Sequence, residues 1–323
     1  MIFAEEGQAN QGDFSLALKM IEIAAQVGAD GIEFQLALAD DLYIKSDPGY
    51  ELYLQREFSS YQIKELVETA KSFGLTFQAA CFSPKLVDIC VDVGVDVFCI
   101  NAMDFNNPVM LDAISDSGLP FWLSTLMGTL EEIDWAVDRI VQRTSTTFGI
   151  LHGQHIMASD NSICVPPEIT QLDCIASLKE RYGVVTGFVD HTPTVHMPAI
   201  AVAKGASIVF KHLAPKEEWR GPDWGVCLSP DKWKKCFELL RYAGSTSGNS
   251  KNLSQAEVKD RALQRRSLFL SSDLPAGHYL KEQDLVALRP GGGVDPKNIS
   301  AIIGKRLKRS LPVQYMISIE DIY

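Results

Sequence analysis

The sequence predicts a (β/α)₈ barrel followed by a small, mainly β domain. Three observations carry this. Strand-like and helix-like segments alternate eight times, with short connections, between Ile2 and Tyr242. Gly28, Gly74, Gly94, Gly118 and Gly205 each fall just after a helical segment, where a glycine can turn left-handed and launch the next strand. Past Tyr242 the texture changes to a polar run, Ala243-Gly-Ser-Thr-Ser-Gly-Asn-Ser-Lys-Asn252.

In order, Ile2–Ala4 precedes the amphipathic Phe14–Val27. Gly31–Gln35 is followed, after a polar loop, by Ser60–Phe73. Thr76–Ala80 pairs with Leu86–Val93, and Val97–Asn101 with Pro108–Asp116. Pro120–Ser124 leads into Leu130–Arg143, whose start is marked by the capping signature Thr129-Leu-Glu-Glu132. Phe148–His152 reaches Ile169–Arg181 across a long loop. Val184–Val189 and Ser207–Phe210 are followed by helices at Met197–Lys204 and Pro230–Tyr242. The expected domains are a barrel over 1–243, a linker over 244–265 with a short charged helix, and a compact unit over 266–323. That last unit is too small to be secure alone and should dock on a barrel, its own or a neighbour's.

Composition bounds the function. Lys and Arg number 30 against 41 Asp and Glu, for a net charge of −11, which argues against a nucleic-acid or anionic-membrane surface. Seven widely spaced cysteines without a Cys-x-x-Cys suit a reduced protein. Met1-Ile-Phe-Ala-Glu5 reads as a strand and not as a signal peptide, and no apolar run is long enough to span a bilayer. A cytoplasmic location is the expectation.

Chemistry in such barrels gathers at the C-terminal strand ends. The last two barrel strands end in Asp190-His191 and Lys211-His212, and parallel strands bring both imidazoles to one edge. Two histidines with carboxylates nearby suit a divalent metal. Two core histidines bonded to backbone are the alternative, and their matched placement beside charged residues favours the site. Reading the other ends adds Glu5 and Glu6, Glu33 and Gln35, Ala79 to Cys81, Asn101 and Asp104, Ser124 and Thr125, His152 and His155, and Asp223. The mouth is therefore acidic with imidazoles.

These residues carry a resemblance. Ala4-Glu5-x-Gly7, Gly28-Ala-Asp-Gly-Ile-Glu33-Phe-Gln35, Leu123-Ser-Thr125, Leu151-His152, Asp190-His191-Thr192, Lys211-His212 and Gly221-Pro-Asp223 resemble the sialic acid synthase family. Arg266-Ser-Leu and Arg289-Pro-Gly-Gly-Gly resemble its C-terminal antifreeze-like domain. The resemblance implies condensation of phosphoenolpyruvate with an N-acyl amino-sugar aldehyde to a nonulosonic acid, assisted by Mn²⁺ or Mg²⁺. It implies His191 and His212 as metal ligands, and Glu5, Asp190 and Asp223 as the catalytic carboxylates. It also implies Gln35, Ser124 and the Glu33 position as substrate-binding. Arg289 would reach into the barrel of a second copy, in a domain-swapped homodimer.

The departures from that family cluster at one place. Glu33-Phe-Gln35 stands for Lys-Phe-Gln, Cys99-Ile-Asn-Ala102 for Lys-Ile-x-Ser, and Ala79-Ala-Cys-Phe82 for Ser-Thr-Pro-Phe. Val189 replaces the serine before Asp-His, and Gly153-Gln-His155-Ile-Met157 replaces the Cys…Tyr-Pro loop. Two cations are lost and one anion gained where phosphoenolpyruvate would sit, and one ion pair near 4 Å is worth roughly 4 kcal/mol at an effective dielectric of about 20. Lys45, Lys85 or Arg220 are candidates to compensate. Glu33 reads as a further ligand or base, or else as the partner of a loop cation.

Overall fold

Glu5 pairs in register with Glu33 on one side and with His212 on the other, so closure of the sheet sets three chemical side chains on neighbouring strands. The computed structural model describes residues 1–156, 160 and 162–323. Met157, in the loop after His152, lies outside the described residues. Eight parallel strands form a closed barrel: β1 (Ile2–Glu5), β2 (Gly31–Leu36), β3 (Thr76–Cys81), β4 (Val97–Ile100), β5 (Phe121–Ser124), β6 (Phe148–Gly153), β7 (Val185–Asp190) and β8 (Val209–His212). Six strands (β1, β2, β3, β6, β7 and β8) run further than expected, and the last two matter for the site. Asp190 ends β7 and His212 ends β8, because their ladders continue to Asp190↔Lys211 and Glu5↔His212.

The helices form where the sequence marks their ends. Thr129 caps Leu130–Arg143 with Glu132 completing a capping box, and Ser59 does the same with Gln62 for Ser60–Ser72. The five glycines that follow helices all have positive φ, from 72° at Gly118 to 107° at Gly205. One expected loop is partly helical: Ala39–Leu42 and Pro48–Leu54 follow β2 as two short helices. Another expected helix is shorter, running Cys174–Tyr182 after a single 3₁₀ turn at Pro167–Ile169.

Two cores hold the barrel. Outward-facing strand residues such as Ile32, Phe34, Phe77, Phe98 and Phe188 pack under the helices. Inward-facing Phe3, Val97, Ile208 and Phe210 fill the bore with Leu151 and Val189, with Phe3 and Phe210 rings 5.2 Å apart. The bore is thus a packed plug below and an open cavity above.

The chain divides into two compact units, Met1–Ser247 and Gly248–Tyr323. The helix Gln255–Gln264, expected within a linker, belongs to the second unit, where the Gly291 N–H donates to the Ala262 carbonyl (2.9 Å). That unit pairs β9 (Ser267–Leu270) with β10 (Leu285–Leu288) and closes its own core with Leu268, Leu280, Ile302, Leu307 and Ile317. No helix among the described residues is long and apolar enough to cross a membrane.

Candidate active site at the barrel mouth

A cavity of about 350 Å³ opens at the C-terminal strand ends. Glu5, Glu33, Gln35, Ser124, His191, His212 and Asp223 all line it. Donor atoms of Glu5, His191 and His212 lie within 4.8 Å of one another, and all three residues are buried. His191 Nδ1 is 2.8 Å from the Gln154 carbonyl, so that nitrogen donates and Nε2 is left as the free lone pair. A metal-binding histidine shows this same outer contact. Among the described residues neither ring nitrogen of His212 makes a hydrogen bond, its Nε2 lying 3.4 Å from Glu5 Oε1, and Glu5 Oε2 makes none. Buried polar atoms without partners are costly, and a carboxylate oxygen of Glu5 with one ring nitrogen each of His191 and His212, gathered within 4.8 Å, fits a cation.

The backbone is shaped to this point. Gly7, at φ +55°, runs so close that a Cβ there would lie 2.3 Å from His212 Nδ1. Asp223 also sits in the left-handed region at φ +58°, a strain of the kind that clusters at functional sites.

Electrostatics follow from burial. Glu5 is held well above the usual carboxylate range by loss of solvent, then by Glu33 and Asp223; the Gln35 amide bonded to it acts the other way. Glu33 is raised to about 7, again by burial, while the Gln78 amide and the Cys99 thiol donate to it. Asp223 is raised to about 6 by burial, with Arg56 opposing. Burial lowers His191 to about 3, with the neighbouring His155 adding to it, and lowers His212 well below its usual range. Both rings are therefore neutral at physiological pH, the state in which imidazole binds a metal.

Not every expected residue is here. Asp190 faces out of the bore: its Oδ2 is 3.0 Å from Lys211 Nζ, its Oδ1 accepts from Thr192 N, and Cys236 of the helical layer feels both charges. Side chains alternate along a strand, so with Val189 and His191 facing in, Asp190 must face out. His152 faces out for the same reason, with Nε2 on the Thr170 carbonyl at 2.9 Å and its ring beside Phe188. Lys45, Lys85 and Arg220 are absent from the lining. Lys45 meets Asp40 at 3.8 Å in solvent, and Arg220 stacks on Trp224. Arg289 is an exposed residue just after β10 in the second unit. Sequence reasoning missed Tyr43 and Tyr53, which line the cavity from around the two short helices with their rings 5.2 Å apart.

Comparison with known proteins decides the family. Residues 20–252 match the NeuB family and residues 265–313 match the SAF domain. The chain belongs to the NeuB family. The N,N'-diacetyllegionaminic acid synthase of Legionella pneumophila is 29% identical over 327 residues, covering 96% of this chain and 91% of that protein. The pseudaminic acid synthase of Campylobacter jejuni is 26% identical over 325 residues, covering 96% and 93%. Among solved structures, an N-acetylneuraminic acid synthetase from Leptospira borgpetersenii, in complex with citrate, superposes with a TM-score of 0.73 at 28% identity, covering 80% of this chain and 88% of that one. The alignments with the two named synthases, at 96% of this chain, run through both of its units.

Proposed function

We propose that this NeuB-family protein is a carbon–carbon bond-forming enzyme that adds a three-carbon keto-acid or enol donor to an N-acyl amino-sugar aldehyde, and that its donor carries less negative charge than phosphoenolpyruvate. The relatives support this class of reaction, since two of them are named legionaminic and pseudaminic acid synthases. One observation carries the donor: among the described residues, the cavity is lined by three carboxyls and by no lysine or arginine. A phosphate and a carboxylate would face Glu33 and a neutral Cys99 thiol.

Glu5, His191 and His212 would hold a divalent ion, which when bound supplies Lewis-acid polarisation of the acceptor carbonyl. The remaining steps fall to the chain. Glu33, poised near neutrality, suits a base that takes a proton from the methyl carbon of a keto-acid donor, or from the hydroxyl of its enol. That carbon then bonds to the aldehyde carbon, and the former aldehyde oxygen takes up a proton as a hydroxyl. Asp223 and Gln35 would hold sugar hydroxyls, and Ser124 the donor carboxylate. The low packing floor of Phe210, Val189 and Leu151 keeps water from below.

The test is calorimetry with phosphoenolpyruvate and pyruvate in the presence of Mn²⁺, followed by mass spectrometry of the product with N-acetylmannosamine. Weak phosphoenolpyruvate binding, improved by Glu33→Lys with Cys99→Lys, is expected. Tight phosphoenolpyruvate binding with release of phosphate by the parent protein would overturn the donor assignment and leave the ordinary synthase reaction.

Assembly follows from the same reading. A second copy would supply Arg289 to the acceptor's N-acyl group, giving a homodimer. A monomer by light scattering at micromolar concentration, fully active, would sink that.

A further inference from the structure

The cavity holds a histidine that neither the pair of strand ends nor the Glu5–His191–His212 cluster uses. His155 lines it from the loop after β6, and its ring centre lies 5.3 Å from that of His191. His191 and His212 have ring centres 5.2 Å apart. Two imidazoles bound to one ion at ~2.1 Å, roughly a tetrahedral angle apart, would have ring centres about 5 Å apart. Both spacings agree with that value, while the ring nitrogens of His155 lie outside the 4.8 Å cluster of Glu5, His191 and His212, so His155 reaches the ion by turning its side chain. The loop is also pinned where it matters, because the carbonyl of Gln154, one residue before His155, fixes the ring of His191.

We infer that His155 is a third imidazole ligand of the bound ion, so that the site selects a borderline transition metal such as Zn²⁺, Fe²⁺ or Co²⁺ over Mg²⁺. Three imidazoles and one carboxylate make a nitrogen-rich set, whereas Mg²⁺ favours oxygen donors and water. The inference rests on the reading that this cavity binds a divalent cation, and is independent of which donor reacts.

The experiment titrates the metal-free full chain with Co²⁺ and with Mg²⁺, following the visible absorption of bound Co²⁺ and the heat of binding. It uses the parent, His155→Ala, His155→Asn and His212→Ala, with the metal-free melting curve of each as a check on folding. The expected result is a loss of at least about tenfold in Co²⁺ affinity and a shifted Co²⁺ band in both His155 variants. Mg²⁺ affinity should change by about twofold or less, and the metal-free melting temperature should hold. Co²⁺ affinity and band unchanged in both His155 variants, with binding lost in His212→Ala, would overturn the role of His155 and leave the metal site standing. Equal binding by all four proteins would overturn the metal site itself and the inference with it.

Discussion

Asp190 and His191 are neighbours in the chain and both are buried, yet they belong to different regions and are satisfied to different degrees. Asp190 looks out of the barrel, its Oδ2 forming an ion pair with Lys211 at 3.0 Å and its Oδ1 accepting from Thr192 N, while Lys211 also donates to the Asp190 and Thr192 carbonyls. His191 looks in, beside His212, whose ring nitrogens make no hydrogen bond among the described residues, and Glu5, whose Oε2 makes none. One region neutralises its charges internally, and the other collects groups that only something from outside can complete. Burial of charge alone does not mark a site. Incomplete pairing on the inward face does.

The comparison can be broken first at its closed half. Lys211→Met leaves the Asp190 carboxylate buried and unpaired, and should cost ~3–5 kcal/mol in chemical denaturation. Asp190→Leu combined with Lys211→Met should recover most of that. A single-variant loss below about 1 kcal/mol would show that the pair does not anchor β7 to β8.

The open half should show itself in the pH dependence of the metal-free protein. The folded Glu33 carboxyl is raised to about 7, above its unfolded value of ~4.3. The native state therefore keeps the proton longer than the unfolded one. The stabilisation is complete below the unfolded value and is lost as pH rises through about 7. Burial raises Glu5, Glu6 and Asp223 in the same direction. Melting temperature should fall as pH rises from about 5 to about 8, and Glu33→Gln should flatten part of that slope. Superimposable slopes for parent and variant would contradict a buried, proton-holding Glu33.

Much of this was legible in the sequence. The alternation of strand and helix patterns marks eight repeats, and the glycines with positive φ punctuate them. Glu5, His191 and His212 could be found because each stands at the end of an apolar strand. The facing of a side chain was harder, since it depends on parity within the strand. The signal was available at Val189-Asp190-His191: if the histidine faces in, the aspartate cannot. His152 faces out by the same parity, while His155 lies in the loop beyond Gly153, where strand alternation no longer applies. The helices Ala39–Leu42 and Pro48–Leu54 are too short to show a period, which hid Tyr43 and Tyr53. Among the described residues the lining holds no lysine or arginine, with Lys45 and Arg220 turned toward Asp40 and Trp224, a matter of loop path that composition does not reveal.

The central claim, that the unpartnered groups on the inward face are a cation site, has a direct measurement. Isothermal calorimetry with Mn²⁺ on the metal-free parent and on His212→Ala should give one bound ion per chain for the parent. The variant should bind at least about 100-fold more weakly, since a ligand and not an outer contact is removed. Equal Mn²⁺ affinity in the two proteins, both folded by their melting curves, would contradict the account.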